Sequence, residues 1–410
     1  MHKTLDLILF GATGFTGALV AAHLQASAPP SLRWALAGRD AARLAAVRQR
    51  IGAPDALPLL AADAADAPAL RAMVATSRAV LSTVGPYQRF GEPLVTACAE
   101  AGTDYLDLCG EPAWMAAMIP KLEPLARASG ARIVFSCGFD SIPFDLGVLW
   151  LQHEAVQRFG APLREVHGRV RTMKGGPSGG TVATLLATVE AMQADPAVAQ
   201  TMADPFALTP GFVGPAQPGG GDAPAYDAWA QSWTAPFVMA PINTKNVHRT
   251  NALRGHPWGT DFRYDERQMT GDGDAGLRRA RRQALASNWQ QRLLGIGPAR
   301  ALLSRFVLPK PGQGPDAAAR ERGRYELWFI GRGPQGQPLK VVVRGQGDPG
   351  YGSTSKIVAE TARCLLEEVG PDMAGGGVWT PGAAMGLVLA RRLQARADLS
   401  FEVEPVLPGR

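Results

Sequence analysis

Seven residues near the amino terminus, Gly11-Ala12-Thr13-Gly14-Phe15-Thr16-Gly17, space three glycines as GxxGxxG between an apolar run and a helical stretch. Glycines at such a turn permit positive φ and let the backbone pass close to a pyrophosphate. The helix start behind them offers free N–H groups and a favourable dipole. A strand before and a helix after turn a weak glycine pattern into a dinucleotide site. Gly11, Thr13, Gly14, Phe15, Thr16 and Gly17 are therefore its expected contacts. About twenty residues further on, Gly38-Arg39-Asp40 stands where an acid would take the ribose 2′-hydroxyl of NAD. An arginine there pairs instead with a 2′-phosphate, so NADPH is the expected cofactor, touched by Gly38 and Arg39. Asp40 reads as a helix cap.

Polar and small residues recur at later strand ends, where a doubly wound sheet binds its ligand. Asp63, the run Thr83-Val84-Gly85-Pro86-Tyr87, Gly110 and Asp140 are added to the expected cofactor contacts on that ground. Hydride transfer needs an apolar wall that excludes water, and reduction of a C=C bond also needs a proton donor. Tyr105, Asp107, Asp140, Ser141, Lys174 and Tyr351 are the candidates for that chemistry, with Tyr105, Asp140, Lys174 and Tyr351 foremost. A structural reading stands beside each: Tyr105 as core, Asp140 and Asp145 as turn caps, Lys174 in a flexible turn between domains. No His/Cys cluster has zinc spacing and no metal is expected.

The elements that must position these residues follow from periodicity. Short apolar runs at Leu5–Phe10, Leu32–Ala37, Ala56–Ala61, Arg78–Val84, Asp104–Leu108 and Ala131–Ser136 alternate with helical stretches. That alternation predicts an α/β protein whose N-terminal domain is a doubly wound, Rossmann-type parallel sheet. The expected organisation is a nucleotide domain over 1–145 and a second α+β substrate domain over 146–350. A tail over 351–410 would pack back on the first. Within the second domain, 204–276 is rich in Gly, Pro and aromatics with weak periodicity, and reads as a long loop or a local aromatic cluster. Lys174-Gly175-Gly176-Pro177-Ser178-Gly179-Gly180-Thr181 forms a second glycine-rich turn. Arg278–Arg282 (RRARR) is a basic run opening a helix to about Ser304. Arg324–Ile330 and Leu339–Val343 predict an antiparallel hairpin, Val378–Gly382 the start of a last helix, and Ser400–Val403 a final strand.

The 410 residues carry a net charge of +6, 46% hydrophobic residues and four scattered cysteines. Such a chain is not disordered, and its basic excess is too diffuse to imply nucleic acid. The cysteines read as buried thiols of a cytoplasmic protein. The start is too short and broken for a signal peptide, and no apolar run is long enough for a spanning helix. A small apolar molecule is the expected partner, with peripheral membrane contact and a homodimer left open.

Five blocks carry a resemblance: GATGFTG (Gly11–Gly17), AGRD (Ala37–Asp40), VLSTVGPYQRFGEPLVTAC (Val80–Cys98), GTDYLDLCGE (Gly102–Glu111) and CGFDSIPFDLG (Cys137–Gly147). A later SGGT (Ser178–Thr181) fits them. Together they resemble the saccharopine dehydrogenase-like oxidoreductases, above all the branch with the trans-acting enoyl reductases. The likeness is dense over about the first 185 residues and thin beyond. It implies an NADPH-dependent reductase with a second α/β domain, acting on the enoyl bond of an apolar, lipid- or polyketide-like substrate. An amino-acid-pathway dehydrogenase and a non-catalytic NADPH-binding scaffold stay open as alternatives.

Overall fold

The computed structural model describes residues 3–175, 179–218, 221–295 and 314–406, and within these not the side chains of 179–183, 288 and 290–295. Residues Gly176–Ser178 of the second glycine-rich turn, and the expected helix end beyond residue 295, lie outside the described residues.

Six strands open the chain: β1 (Leu5–Phe10), β2 (Trp34–Gly38), β3 (Leu59–Ala61), β4 (Ser77–Ser82), β5 (Asp104–Asp107) and β6 (Arg132–Val134). Between them run α1 (Phe15–Ser27), α2 (Ala41–Arg50), α3 (Ala67–Val74), α4 (Tyr87–Ala101) and α5 (Pro112–Ser129). Successive residues of β1 enter different cores. Leu7 and Leu9 join one apolar cluster, Ile8 and Phe10 the other. This two-sided burial is why the strand reads as a continuous apolar run.

Helix α6 (Ile142–Phe159) leads into the second domain. There follow β7 (Glu165–Lys174), α7 (Gly179–Ala194), α8 (Pro196–Ala203), β8 (Ala225–Asp227), β9 (Ser232–Pro236), α9 (Ala240–Leu253), β10 (Arg263–Gly271) and α10 (Gly273–Gly295). Next come α11 (Ala317–Arg322), β11 (Arg324–Arg332), β12 (Pro338–Gln346), a π-helical turn at Pro349–Ser353 and α12 (Thr354–Glu367). The chain closes with β13 (Gly377–Trp379), α13 (Pro381–Ala384), α14 (Gly386–Arg396) and β14 (Leu399–Glu404).

The strands form two seven-stranded sheets. The first, all parallel, runs β13-β6-β5-β4-β1-β2-β3. Its order reverses between β1 and β4, so the ligand crevice belongs at their C-terminal ends. The second runs β14-β12-β11-β7-β10-β9-β8, antiparallel except for β7 and β10. Helix α6 packs against the second sheet: Phe144 stacks on Phe237 at 5.5 Å and meets the Phe329 edge at 6.3 Å. Helix α12 packs on α1 of the first domain.

Two expectations are corrected. Residues 204–276 are not a long loop: they contain β8, β9, α9, all of β10 and the start of α10. The periodic signal is missing because the buried positions are polar. Asp265, Glu266 and Arg267 of β10 are all buried, as are Asn243, Lys245, Asn246, His248, Arg249, Thr250 and Asn251 of α9. The start of the expected last helix is instead β13, which extends the parallel sheet beside β6 before α13 begins.

Candidate active site

A cavity of about 540 Å³ opens along the C-terminal ends of the parallel strands, centred on the β1–β4 switch. Its floor is the glycine turn. Gly11 has φ +89, and a Cβ there would lie 2.7 Å from the Thr83 hydroxyl; a Cβ on Gly17 would lie 2.2 Å from the Gly11 carbonyl. Close packing of α1 on the turn thus demands glycine at both positions. Gly14 is the N-cap of α1 and no side chain satisfies the helix start, which leaves its N–H groups for an anion. Thr83 ties β4 to β1, its hydroxyl 3.2 Å from the Phe10 and Gly11 carbonyls.

At the end of β2, Arg39 and Arg43 line the cavity, both exposed, with Gly38 between them and the glycine turn. The Asp40 carboxylate is engaged in capping α2, accepting from the Arg43 N–H at 3.0 Å. Asp63 lines the wall after β3 and accepts from the Ala65 N–H at 2.9 Å.

The far end of the cavity is built by β4, β5, β6 and the second domain. Tyr87 lines it while its hydroxyl accepts from the Leu108 N–H at 3.0 Å and donates to the Ser82 carbonyl at 3.2 Å, closing the gap between β4 and β5. The Glu111 carboxylate accepts from the Tyr87 and Gln88 N–H groups at 2.8 Å, and from the Thr184 hydroxyl at 3.2 Å, so it joins α4 to α7. Asp107 is fully buried behind this wall. Burial pushes its carboxyl up to about 7, against hydrogen bonds from the Cys109 and Ser136 N–H groups and the Tyr105 hydroxyl.

Asp140 reaches the cavity and makes no hydrogen bond among the described residues. Burial alone pushes its carboxyl up to about 6. Beside it, the Ser141 hydroxyl accepts from Asn246 at 3.2 Å, while the Asn243 amide lies 3.4 Å away and donates to Glu266 at 2.9 Å. A buried polar chain thus runs from the second sheet to the cavity edge. Tyr351 packs edge-on against Phe15 at 4.6 Å, closing the π-helical turn over the glycine loop.

The structure brings Gly11, Thr13, Gly14, Phe15, Thr16, Gly17, Gly38, Arg39, Asp63, Thr83, Val84, Gly85, Tyr87, Gly110, Asp140 and Tyr351 onto one wall. Three sequence candidates lie elsewhere. Pro86 follows a cis Gly85–Pro86 peptide and is the N-cap of α4 rather than part of the wall. Tyr105 is fully buried, its ring 6.2 Å from Phe135, because its strand face turns into the core. Lys174 ends β7 at a separate depression with Arg322 and Arg324. Sequence reading also missed wall residues. Arg43 stands one helical turn past Arg39, a spacing that signals a shared face. Thr184 and Met239 come from α7 and the loop before α9, and no local pattern marks them.

These features fit NADPH: an open helix start, a floor with glycine at its closest approaches, and two arginines at the 2′-phosphate position, where the Asp40 carboxylate is engaged in capping α2. The comparisons agree. The saccharopine dehydrogenase NADP binding domain matches residues 7–134. A Mycobacterium tuberculosis relative, provisionally named a trans-acting enoyl reductase, is 40% identical over 96% of both chains. The trans-acting enoyl reductases of Mycobacterium bovis and Mycobacterium ulcerans are each 37% identical over 96% of both chains. The apo saccharopine dehydrogenase (L-Glu forming) of Saccharomyces cerevisiae shares the fold at a TM-score of 0.52, with 13% identity, 98% of this chain and 100% of its own covered.

The fold and site define an NADP-dependent oxidoreductase. The chain belongs to the saccharopine dehydrogenase-like family, in the branch of the trans-acting enoyl reductases. The likeness spans nearly the whole chain.

Proposed function

We propose that the protein reduces the C=C bond of an apolar enoyl-type substrate with NADPH. The carrying observation is the composition of the cavity beyond the cofactor floor. Tyr87, Phe90, Leu108, Cys109 and Met239 supply apolar surface, and Ser136, Asp140, Ser141 and Thr184 are the polar groups beside them. The cations of the wall, Arg39 and Arg43, stand at the opposite, adenosine end. A dicarboxylic amino-acid substrate would leave its carboxylates unpaired there, at a cost that selects against it. The names of the 37%-identical relatives support the same reading.

NADPH, when bound, supplies the hydride. The chain's part is to exclude water with the apolar wall and to hold a proton. Asp140 is the proposed donor: it faces the cavity, has no hydrogen-bond partner among the described residues, and its carboxyl is pushed up to about 6. That places it closer to neutral working pH than an ordinary carboxyl. NADPH consumption with an enoyl thioester, a dicarboxylic imine and a simple ketone tests the proposal. Turnover of the thioester alone supports it; preference for the imine overturns it.

A further inference from the structure

Helix α10 is bound to the second sheet by small residues. Gly276, Ala280 and Ala284 recur every fourth residue and are buried. A Cβ on Gly276 would lie 2.0 Å from the Gly271 carbonyl and 3.3 Å from the Trp233 ring. The spacing puts a different set on the outer face: Arg278, Arg282, Leu285 and Trp289 follow one another at intervals of four, three and four residues. All four are exposed, Leu285 at 59% and Trp289 at 60%. Between Ala275 and Trp289 the helix carries four arginines and no acid. Arg279 is held by the Thr270 carbonyl at 2.7 Å. Arg278, Arg281 and Arg282 pair with no carboxylate among the described residues. The acid of the helix, Asp274, lies in its first turn, where the dipole favours it.

We infer that this face of α10 is a docking surface for an anionic lipid bilayer. Arginines at one end of the stripe meet a negatively charged headgroup layer, each worth about fivefold in affinity near such a surface. At the other end, a leucine and a tryptophan stand exposed, with no pocket around them among the described residues. Tryptophan carries an apolar body and a polar N–H, the pairing that settles at the boundary between headgroups and acyl chains. An acidic protein surface would use the arginines but leave the apolar pair in water. No described helix is long and apolar enough to cross a membrane, so α10 would lie along the surface.

The full chain is pelleted with vesicles of equal parts phosphatidylcholine and phosphatidylserine, and with pure phosphatidylcholine vesicles. Binding to the mixed vesicles alone is expected, weakened at high salt. The paired change Arg278→Glu with Arg282→Glu is expected to weaken binding by more than about tenfold. Leu285→Ser with Trp289→Ser is expected to weaken it about tenfold. NADPH affinity and melting temperature, unchanged in both, show that the variants fold. Independently of folding, brominated lipid should quench wild-type tryptophan fluorescence more than that of Trp289→Phe. A wild-type chain that stays in the supernatant overturns the inference. So do variants that pellet as well as wild type, equal binding to uncharged vesicles, or capture by an acidic protein without vesicle binding.

Discussion

Arg39 and Arg43 present two guanidinium groups from adjacent turns of one short segment to the adenosine end of the cavity. A charged hydrogen bond to phosphate contributes about 1.5–3 kcal/mol, or roughly ten- to a hundredfold in affinity. Arg39→Ala, and separately Arg43→Ala, should therefore raise the NADPH dissociation constant about tenfold or more. NADH binding should change by less than about twofold, since it lacks the phosphate; fluorescence titration reads both. At the other end, the proposed donor Asp140 predicts a pH dependence for the proposed reduction. Its folded value of about 6 means that the protonated donor is populated below that pH and lost above it. Enoyl reduction should fall about tenfold per unit as pH rises past it. Asp140→Asn should flatten that profile and lower kcat about 10²–10⁴-fold, far more than it changes NADPH affinity. A retained pH profile in the variant would assign the proton to another group. The glycine turn and Arg39 are legible from sequence because backbone reach and fixed charge are local properties. Tyr105 and Lys174 are not, since only the packed chain decides which way a side chain at a strand end faces.

The parallel sheet and the pair formed by α9 and β10 show opposite degrees of legibility. Strands such as β1 are buried on both faces and advertise themselves as apolar runs. Helix α9 and strand β10 bury Asn243, Arg249, Asp265, Glu266 and Arg267, each answered by a partner from another element. Arg169 of β7, for example, pairs with both Asp227 and Asp265. Amphipathic patterns cannot reveal elements whose inside is polar. Helix α6 adds a steric condition of its own. A Cβ on Gly147 would meet the Phe329 ring at 2.2 Å, and that ring is already fixed against Phe144. Gly147→Ala should cost about 1–3 kcal/mol through overpacking, although alanine favours a helix. A lower melting temperature checks it; a rise would mean that the ring has room to move.

Across the whole molecule, the C-terminal elements serve both sheets: α12 packs on α1 and β13 extends the parallel sheet, while β14 ends the second sheet beside β12. Glu360 of α12 is fully buried and meets His23 of α1 at 3.0 Å, Arg363 at 2.9 Å and Arg392 of α14 at 2.8 Å. Burial alone would raise its carboxyl; the His23 hydrogen bond and the two arginines overcome this and hold it at about 2. A depressed carboxylate stabilises the fold above its unfolded value and loses that contribution as pH falls toward the folded one. The contribution is about 3 kcal/mol at neutral pH. Denaturant melts should show wild type losing stability below about pH 4.5 more steeply than Glu360→Gln; parallel curves would show that the network is not what holds the tail to α1. The sequence alone determined the nucleotide sheet, its glycine turn and its preference for a 2′-phosphate. Each of these rests on backbone geometry or on charge within a few residues. Tertiary structure decided that β13 returns to the parallel sheet, that α7 and the loop before α9 finish the cavity, and that Asp140, not Tyr105, faces it. Those outcomes depend on contacts between residues from about thirty to more than two hundred positions apart, which no local pattern encodes.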